Sequence, residues 1–235
     1  QCILLIFNHF YTLQNRYTSR ILPEFVVYLQ SMPDKATNIH PTFHHLLQRS
    51  DKEALLQQKA LCIWMTGLSG SGKSTIAQGL EKKLHEQGIL TKILDGDNVR
   101  TGINNNLGFS EADRTENIRR IAEVNKLFLD AGIVTINSFV SPTKDIRDLA
   151  KSIIGEQEFY EVYINASFEE CAKRDVKGLY KKAIAGEIKN FTGLDAPFEA
   201  PSDAALEIKT AEQNIEESIE TIYAFFISKI KNLNS

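Results

Sequence analysis

Apolar residues fall into two rhythms along this chain. "LCIWMT" at 61–66 is a short apolar run halted by Gly67, and "STIAQGLEKKLHEQG" carries Ile76, Leu80 and Leu84 at helical spacing before Gly88. The run predicts a buried strand and the spacing predicts a helix. By the same signals "ILTKILDGD", "GIVTINSF", "FYEVYIN" and "ALEIKT" predict four more strands, separated by helical or loop segments. A long helix is predicted in "GFSEADRTENIRRIAEVNKLFLDAG", with Ile118, Ile121, Ala122, Phe128 and Leu129 on its apolar face. Asp113 and Glu116 are spaced as a capping box at its start. Asn125 interrupts the stripe where a small apolar residue is expected. Near the C-terminus Ile215, Ile219, Ile222, Phe226 and Ile230 mark another packing face. Strands that alternate with helices imply an α/β fold, a mostly parallel sheet with helices on both faces. No internal repeat or low-complexity tract is present.

The first thirty residues do not share this rhythm. Their apolar run ends after six residues, "CILLIF", and "ILPEFVVYL" is broken by Pro23 and Glu24. Both fall short of the roughly 20 residues that span a bilayer, and no cation precedes the first run as in a secretory signal. The expected organisation is a non-native or disordered extension over 1–31, a start at Met32, a lead-in segment over 32–60 and one domain over 61–235.

Charge and cysteines narrow the setting. The 27 Lys and Arg against 30 Asp and Glu give a net charge of -3, so no global positive field draws in nucleic acid or an anionic membrane. Any polyanion must be gripped locally. Cys2, Cys62 and Cys171 are odd in number and far apart, which suits free thiols in the cytoplasm. His40, His44 and His45 lack a Cys or carboxylate at metal spacing, and no zinc site is expected there.

The local grip is expected at "GLSGSGKST". Gly67, four residues, then Gly72, Lys73 and Ser74 fit the phosphate-binding loop, and the pattern lies where such a loop must, between a strand and a helix. Glycines there let backbone N–H groups curl around phosphate oxygens while the helix aims its positive end at the same anion. Lys73 would reach the β and γ phosphates and the Ser74 hydroxyl would sit on Mg²⁺. The competing reading is a connecting loop with Ser74 as N-cap. In "LDGDNVR", Asp95 and Asp97 end the second strand two residues apart and can face one cleft, as general base or metal partner. The alternative there is that Asp97 or Asn98 caps a helix. No N-K-x-D tetrad points to guanine. Arg114 and Asn117, one turn apart near a helix start, suit an anionic acceptor, with a solvated helix face as the rival.

Taken together, "GLSGSGKST", "LDGDNVR", "LGFSEADRTENIRRIAEV", "FVSP" and "DVKGLYKKAIAGEIKNFTGLDAPFEAP" resemble the adenylyl-sulfate kinase family, in order, from about residue 38 to the C-terminal helix. The resemblance implies a P-loop NTPase-type three-layer fold. It implies ATP on Gly67, Leu68, Ser69, Gly70, Ser71, Gly72, Lys73, Ser74 and Thr75, and Mg²⁺ near Ser74 and Asp97. Asp97 is placed as the base beside the acceptor hydroxyl. Arg100, Arg114 and Asn117 fall where the family holds the phosphosulfate, and Phe109 and Phe191 where two rings clamp its adenine. Lys189 belongs to an expected lid over about 175–201. Ser141 occupies a position described in the family as a phosphoserine; local physics reads it as a helix cap ahead of Pro142, with direct transfer as the mechanism. Thr143, Lys144 and Ile146 depart from the family's usual S-P-Y-R continuation. Lys177, Lys181 and Lys182 form a basic run, a solvated face or a contact to ATP phosphates when the lid closes.

The expected activity is transfer of the γ-phosphate of ATP to the 3′-hydroxyl of adenosine 5′-phosphosulfate in sulfate assimilation. A homodimer and a functional link to an ATP sulfurylase are implied by the resemblance alone. The rivals are a sugar or nucleoside monophosphate kinase, and a catalytically silent nucleotide-binding module.

Overall fold

The structure is a computed structural model that describes residues 38–231. The 1–31 extension, its Met32 boundary and Cys2 lie outside the described residues. A division between two units falls at His45 and Leu46. The described part of the first holds a 3₁₀ turn, Phe43–His45. The second, from Leu46 onward, holds the sheet and every other described helix.

All five predicted strands form: β1 (Cys62–Thr66), β2 (Thr91–Asp95), β3 (Val134–Ser138), β4 (Phe159–Asn165) and β5 (Leu206–Lys209). They pair parallel in the order β2-β3-β1-β4-β5. The helices are α1 (Arg49–Leu56), α2 (Lys73–Glu86), α3 (Gly96–Val99), α4 (Glu111–Asp130), α5 (Lys144–Ile154), α6 (Phe168–Arg174), α7 (Leu179–Ile184) and α8 (Ile215–Lys231).

The central strand shows why the layers form. Successive side chains of a strand point to opposite faces. Ile63 and Met65 enter one apolar layer with Ile76, Leu80 and Leu84 of α2 and Ile222, Phe226 and Ile230 of α8. Cys62 and Trp64 enter the other, with Ile118, Ile121 and Leu129 of α4 and Ile146, Ala150 and Ile154 of α5. A strand buried on both faces reads as a continuous apolar run, as "CIWMT" does. Each fully buried Leu or Ile in these layers contributes about 1.5–3 kcal/mol, enough to outweigh modest local propensities.

Three local expectations are corrected. The cap of α4 is Ser110, whose Oγ accepts the Asp113 N–H at 3.2 Å and donates to the Asp113 carboxylate at 2.7 Å; Asp113 lies inside the helix. Asn125 is fully buried and pairs reciprocally with Asn137 of β3: each amide donates to the other's oxygen, at 2.7 and 2.9 Å. Its interruption of the stripe is a satisfied polar pair facing the sheet. The helix after Pro142 starts at Lys144, whose N–H is capped by Glu199 Oε2 at 2.6 Å, so Ser141 caps nothing.

The segment before β1 is tied to the amino edge of the sheet. Gln58, 1% exposed, donates to the carbonyls of Leu90 and Gly132 at 2.9 and 2.8 Å, and Lys52 Nζ reaches the Asp130 carbonyl at 2.8 Å. The opposite, carboxyl edge carries the loops after β1, β2 and β3, where ligands bind in sheets of this kind.

Candidate active site

The loop after β1 is held from outside. Gly67 sits at φ +151°, and a Cβ there would lie 2.4 Å from the Ile164 carbonyl oxygen, so no side chain fits. Lys73 Nζ donates to the carbonyls of Gly67 and Leu68, both at 2.8 Å, and Tyr180 OH to that of Ser69 at 2.6 Å. Arg174 Nη1 reaches the Gly70 and Ser71 carbonyls at 3.4 and 3.3 Å, and the Thr210 hydroxyl donates to Ser71 at 3.0 Å. With its carbonyls so engaged, the loop offers N–H groups, joined by the unpaired first-turn amides of α2. Lys73 is 7% exposed, and burial lowers its pKa from 10.5 to about 8. A lysine stripped of hydration in this way gains a favourable environment when an anion binds beside it.

The second cluster forms where β2 and β3 end beside this loop. Ser74 Oγ donates to Asp95 Oδ2 at 2.6 Å and lies 3.2 Å from Ser138 Oγ. Asp95 also caps α3, accepting the Asp97 N–H at 3.0 Å. Of the two carboxylates, Asp95 therefore does the capping and stands next to Ser74. Asp97 is left projecting, its side chain 73% exposed and ion-paired with Lys177. Lys177 is thus the member of the basic run that the structure brings to the site, while Lys181 and Lys182 are exposed.

Two cavities meet at Asp97. One, about 240 Å³, is lined by the loop residues Ser69 to Thr75 except Ser71, by Asp95, Ser138 and Lys177, and by Gly96, Asp97, Phe139 and Val140. The other, about 120 Å³, shares those last four and adds Arg100, Phe109, Arg114, Asn117, Ile118, Ser141 and Pro142. Arg100 lies over the Phe109 ring at 4.5 Å and donates to the carbonyls of Leu107 and Gly108 at 3.1 and 2.8 Å. Arg114 donates to Phe109 O, Thr192 Oγ1 and Asn190 O at 3.0, 3.0 and 2.7 Å, which ties α4 to the segment after α7. Arg114 also lies 5.9 Å from the Phe109 ring, so two guanidinium groups gather there, and burial first, then the like charge of Arg100, lowers the pKa of Arg114. Asn117, 4% exposed, accepts from Asn104.

The remaining predicted residues are placed differently. Phe109 is 62% exposed, whereas Phe191 is 8% exposed and packs edge-on against Tyr180 at 4.9 Å. Its neighbours Asn190 and Thr192, not Phe191, line the larger cavity of about 730 Å³ beyond Phe109. The two rings are not presented together. Lys189 is exposed. Ser141 is 2% exposed, at φ +36°; its Oγ accepts from Trp64 Nε1 and donates to Thr66 Oγ1, both at 3.1 Å, and its carbonyl accepts from Arg147 at 3.1 Å. The residue lines the cavity of Arg100 and Arg114, but its hydroxyl is held by Trp64 and Thr66, with no basic side chain among its partners. Of the departures, Ile146 packs in the second apolar layer and Thr143 offers no side-chain cap.

Sequence reasoning missed Arg174, Thr210, Tyr180 and Asn104. Thr210 directly follows β5 at the carboxyl edge, and that position alone was a usable signal. Arg174 and Asn104 carried none.

The sequence profile of the adenylylsulphate kinase family matches residues 59–209. An adenylyl-sulfate kinase of Bacteroides fragilis is 57% identical over 197 residues, 84% of this chain and 98% of that protein. One from Clostridium acetobutylicum is 52% identical over 179 residues, 76% and 89% of the two chains. Among solved structures, that of the Mycobacterium tuberculosis APS kinase CysC in complex with AMPPNP and APS is 41% identical, with a TM-score of 0.70 over 72% of this chain and 99% of that one. The chain belongs to the adenylyl-sulfate kinase family.

Proposed function

We propose that this adenylyl-sulfate kinase holds ATP on the loop from Gly67 to Thr75 and adenosine 5′-phosphosulfate in the cavity of Arg100, Phe109, Arg114 and Asn117, with Asp97 between them as general base. The reaction moves the γ-phosphoryl group of ATP to the 3′-hydroxyl of the acceptor, giving 3′-phosphoadenylyl sulfate and ADP. The observation that carries the residue assignment is the shared wall: Asp97 lines both cavities.

Phosphoryl transfer asks little of the protein beyond positioning, charge neutralisation and a proton acceptor. The loop amides and Lys73 neutralise the β and γ oxygens. The guanidinium groups of Arg100 and Arg114 hold the phosphosulfate, and the exposed face of Phe109 offers the adenine a stacking surface. Asp97 takes the 3′-hydroxyl proton as the O–P bond forms, and the β–γ bridging oxygen departs with ADP. For this, Lys177 must shift from Asp97 toward the phosphates, which a closing lid over about 175–201 brings about. Ser74, Asp95 and Ser138 give a small set of oxygen donors, with 2.6 and 3.2 Å separations, that fits a hard cation completed by phosphate oxygens and water. Mg²⁺ there would supply charge neutralisation at the transferring group. Among the described residues no group of three His, Cys, Asp or Glu side chains could hold a metal by itself, in keeping with a cation that arrives with the nucleotide. Asp97 is proposed with Ser74 near the same ion, through the outer shell. A homodimer, a functional link to an ATP sulfurylase and a cytoplasmic setting belong to the same reading; no described helix is long and apolar enough to cross a membrane.

The test is direct. The protein is mixed with ATP, Mg²⁺ and adenosine 5′-phosphosulfate, and ADP and the 3′-phosphorylated product are followed. Equal amounts of both are expected. ADP without the second product, or turnover with a sugar or nucleoside monophosphate instead, overturns the reading.

A further inference from the structure

Asn104 takes no part in the phosphoryl transfer, yet it is completely buried. It lies in the turn after α3, where its backbone is already committed: its N–H donates to Val99 O at 3.0 Å and its carbonyl accepts from Leu107 at 3.1 Å. The side chain is therefore delivered to one spot. There its Nδ2 donates to Asn117 Oδ1 at 3.0 Å and faces the Asn117 carbonyl at 3.5 Å, while its own Oδ1 is sealed from solvent without a partner.

The Asn117 backbone carbonyl, an acceptor that cannot turn, fixes which end of the Asn104 amide points at Asn117, because an amide oxygen there would face another oxygen. That in turn fixes Asn117. With Oδ1 held by Asn104, the Asn117 Nδ2 is left without a partner among the described residues. It is not among the sealed polar atoms, and Asn117 lines the cavity with Arg100 and Arg114. A free asparagine would turn its oxygen toward the two guanidinium groups and so place an acceptor against an incoming anion. Leaving a buried carbonyl oxygen unpaired is unfavourable, and an apolar side chain at position 104 would avoid it. A role confined to packing does not explain why an amide stands there.

We infer that Asn104 is a positioning residue for the acceptor site: it locks the Asn117 amide with its NH₂ toward the cavity, so that the phosphosulfate anion meets donors only. This rests on the proposed placement of the acceptor in that cavity.

The experiment compares Asn104→Leu with the wild type in steady-state assays and thermal melts. Loss of one oriented hydrogen bond to a charged group is expected to raise the KM for adenosine 5′-phosphosulfate about tenfold, with the KM for ATP and kcat within about twofold. In an Asn117→Ala background the same substitution should add nothing further, since the group it orients is gone. A KM for the acceptor within twofold of wild type overturns the inference, as does the full effect persisting in the Asn117→Ala background. Should Asn104→Leu lack a cooperative melt, Asn104→Ala is read by the same criteria. Wild-type protein that shows no turnover dependent on adenosine 5′-phosphosulfate removes the acceptor placement and this inference together; normal wild-type turnover with an unchanged variant removes the inference alone.

Discussion

Replacing Ser141 with alanine separates a covalent role from a structural one, because the structure assigns the hydroxyl two definite tasks. It accepts from Trp64 Nε1 and donates to Thr66 Oγ1, each at 3.1 Å. Thr66 keeps another partner after the change, since its own hydroxyl donates to Val140 O at 2.7 Å. Trp64 does not: its ring is fully buried and the indole N–H would be left unpaired. An orphaned buried donor costs about 1–3 kcal/mol, and a central value of about 2 kcal/mol is expected here. In a domain of this size each kcal/mol moves Tm by about 2–4 °C, so Ser141→Ala should melt about 4–8 °C below wild type. Turnover below that temperature should stay within about threefold, because the lost oxygen, though Ser141 lines the acceptor cavity, is occupied by Trp64 and Thr66. Circular dichroism melts and steady-state kinetics measure the two quantities separately. An unchanged Tm with kcat reduced by about a thousandfold or more would refute this reasoning and restore Ser141 as a nucleophile.

Other outcomes are set by the same geometry. Gly67→Ala places a Cβ 2.4 Å from the Ile164 carbonyl and should abolish measurable ATP binding by calorimetry while costing about 2 kcal/mol or more of stability; normal binding would mean the loop is not built as described. Asp97→Asn should lower kcat by about 10²–10⁴, with both substrates still bound at near-normal affinity; a smaller loss would remove Asp97 as the base. Lys73, with its pKa lowered to about 8 by burial, is partly neutral near that pH when no nucleotide is added. The unfolded chain binds this proton up to about 10.5, so the group weakens the fold fully below pH 8, and stability recovers as pH rises from 8 toward 10.5. ATP binding at pH 8 to 8.5 should therefore take up protons, seen as a dependence of binding enthalpy on the buffer's ionisation enthalpy. Binding without proton uptake would contradict the buried-lysine picture.

The strands were legible because each is a short apolar run ended by a turn residue, and a strand with both faces buried leaves that signature. Phe159–Asn165 matches its predicted bounds. The loop of Gly67 to Ser74 was legible because close backbone approach to Ile164 tolerates only glycine at its start. Caps were less so. The start of α4 was read at Asp113 although the cap is Ser110, because that choice depends on backbone angles that composition does not carry. Ser141 was misread as a cap because Ser-Pro is a local helix-start signal, whereas its helix is closed by Glu199, distant in sequence. Asn125 was likewise unreadable without its partner on β3, and Asn104 without Asn117. Pairings made only by the folded chain leave no periodicity behind. The burial of Phe191 against Tyr180 shows the same limit: a resemblance supplies a role, but not the arrangement in which the ring now rests.

Direct passage of the phosphoryl group between neighbouring cavities fixes the stereochemical outcome at phosphorus. ATP made chiral at its γ-phosphorus with oxygen isotopes can be turned over by the full chain, and the configuration of the 3′-phosphate then determined. A single in-line displacement beside Asp97 is expected to give inversion. Retention would require two displacements through an enzyme-bound phosphate, and would contradict direct transfer across the shared wall.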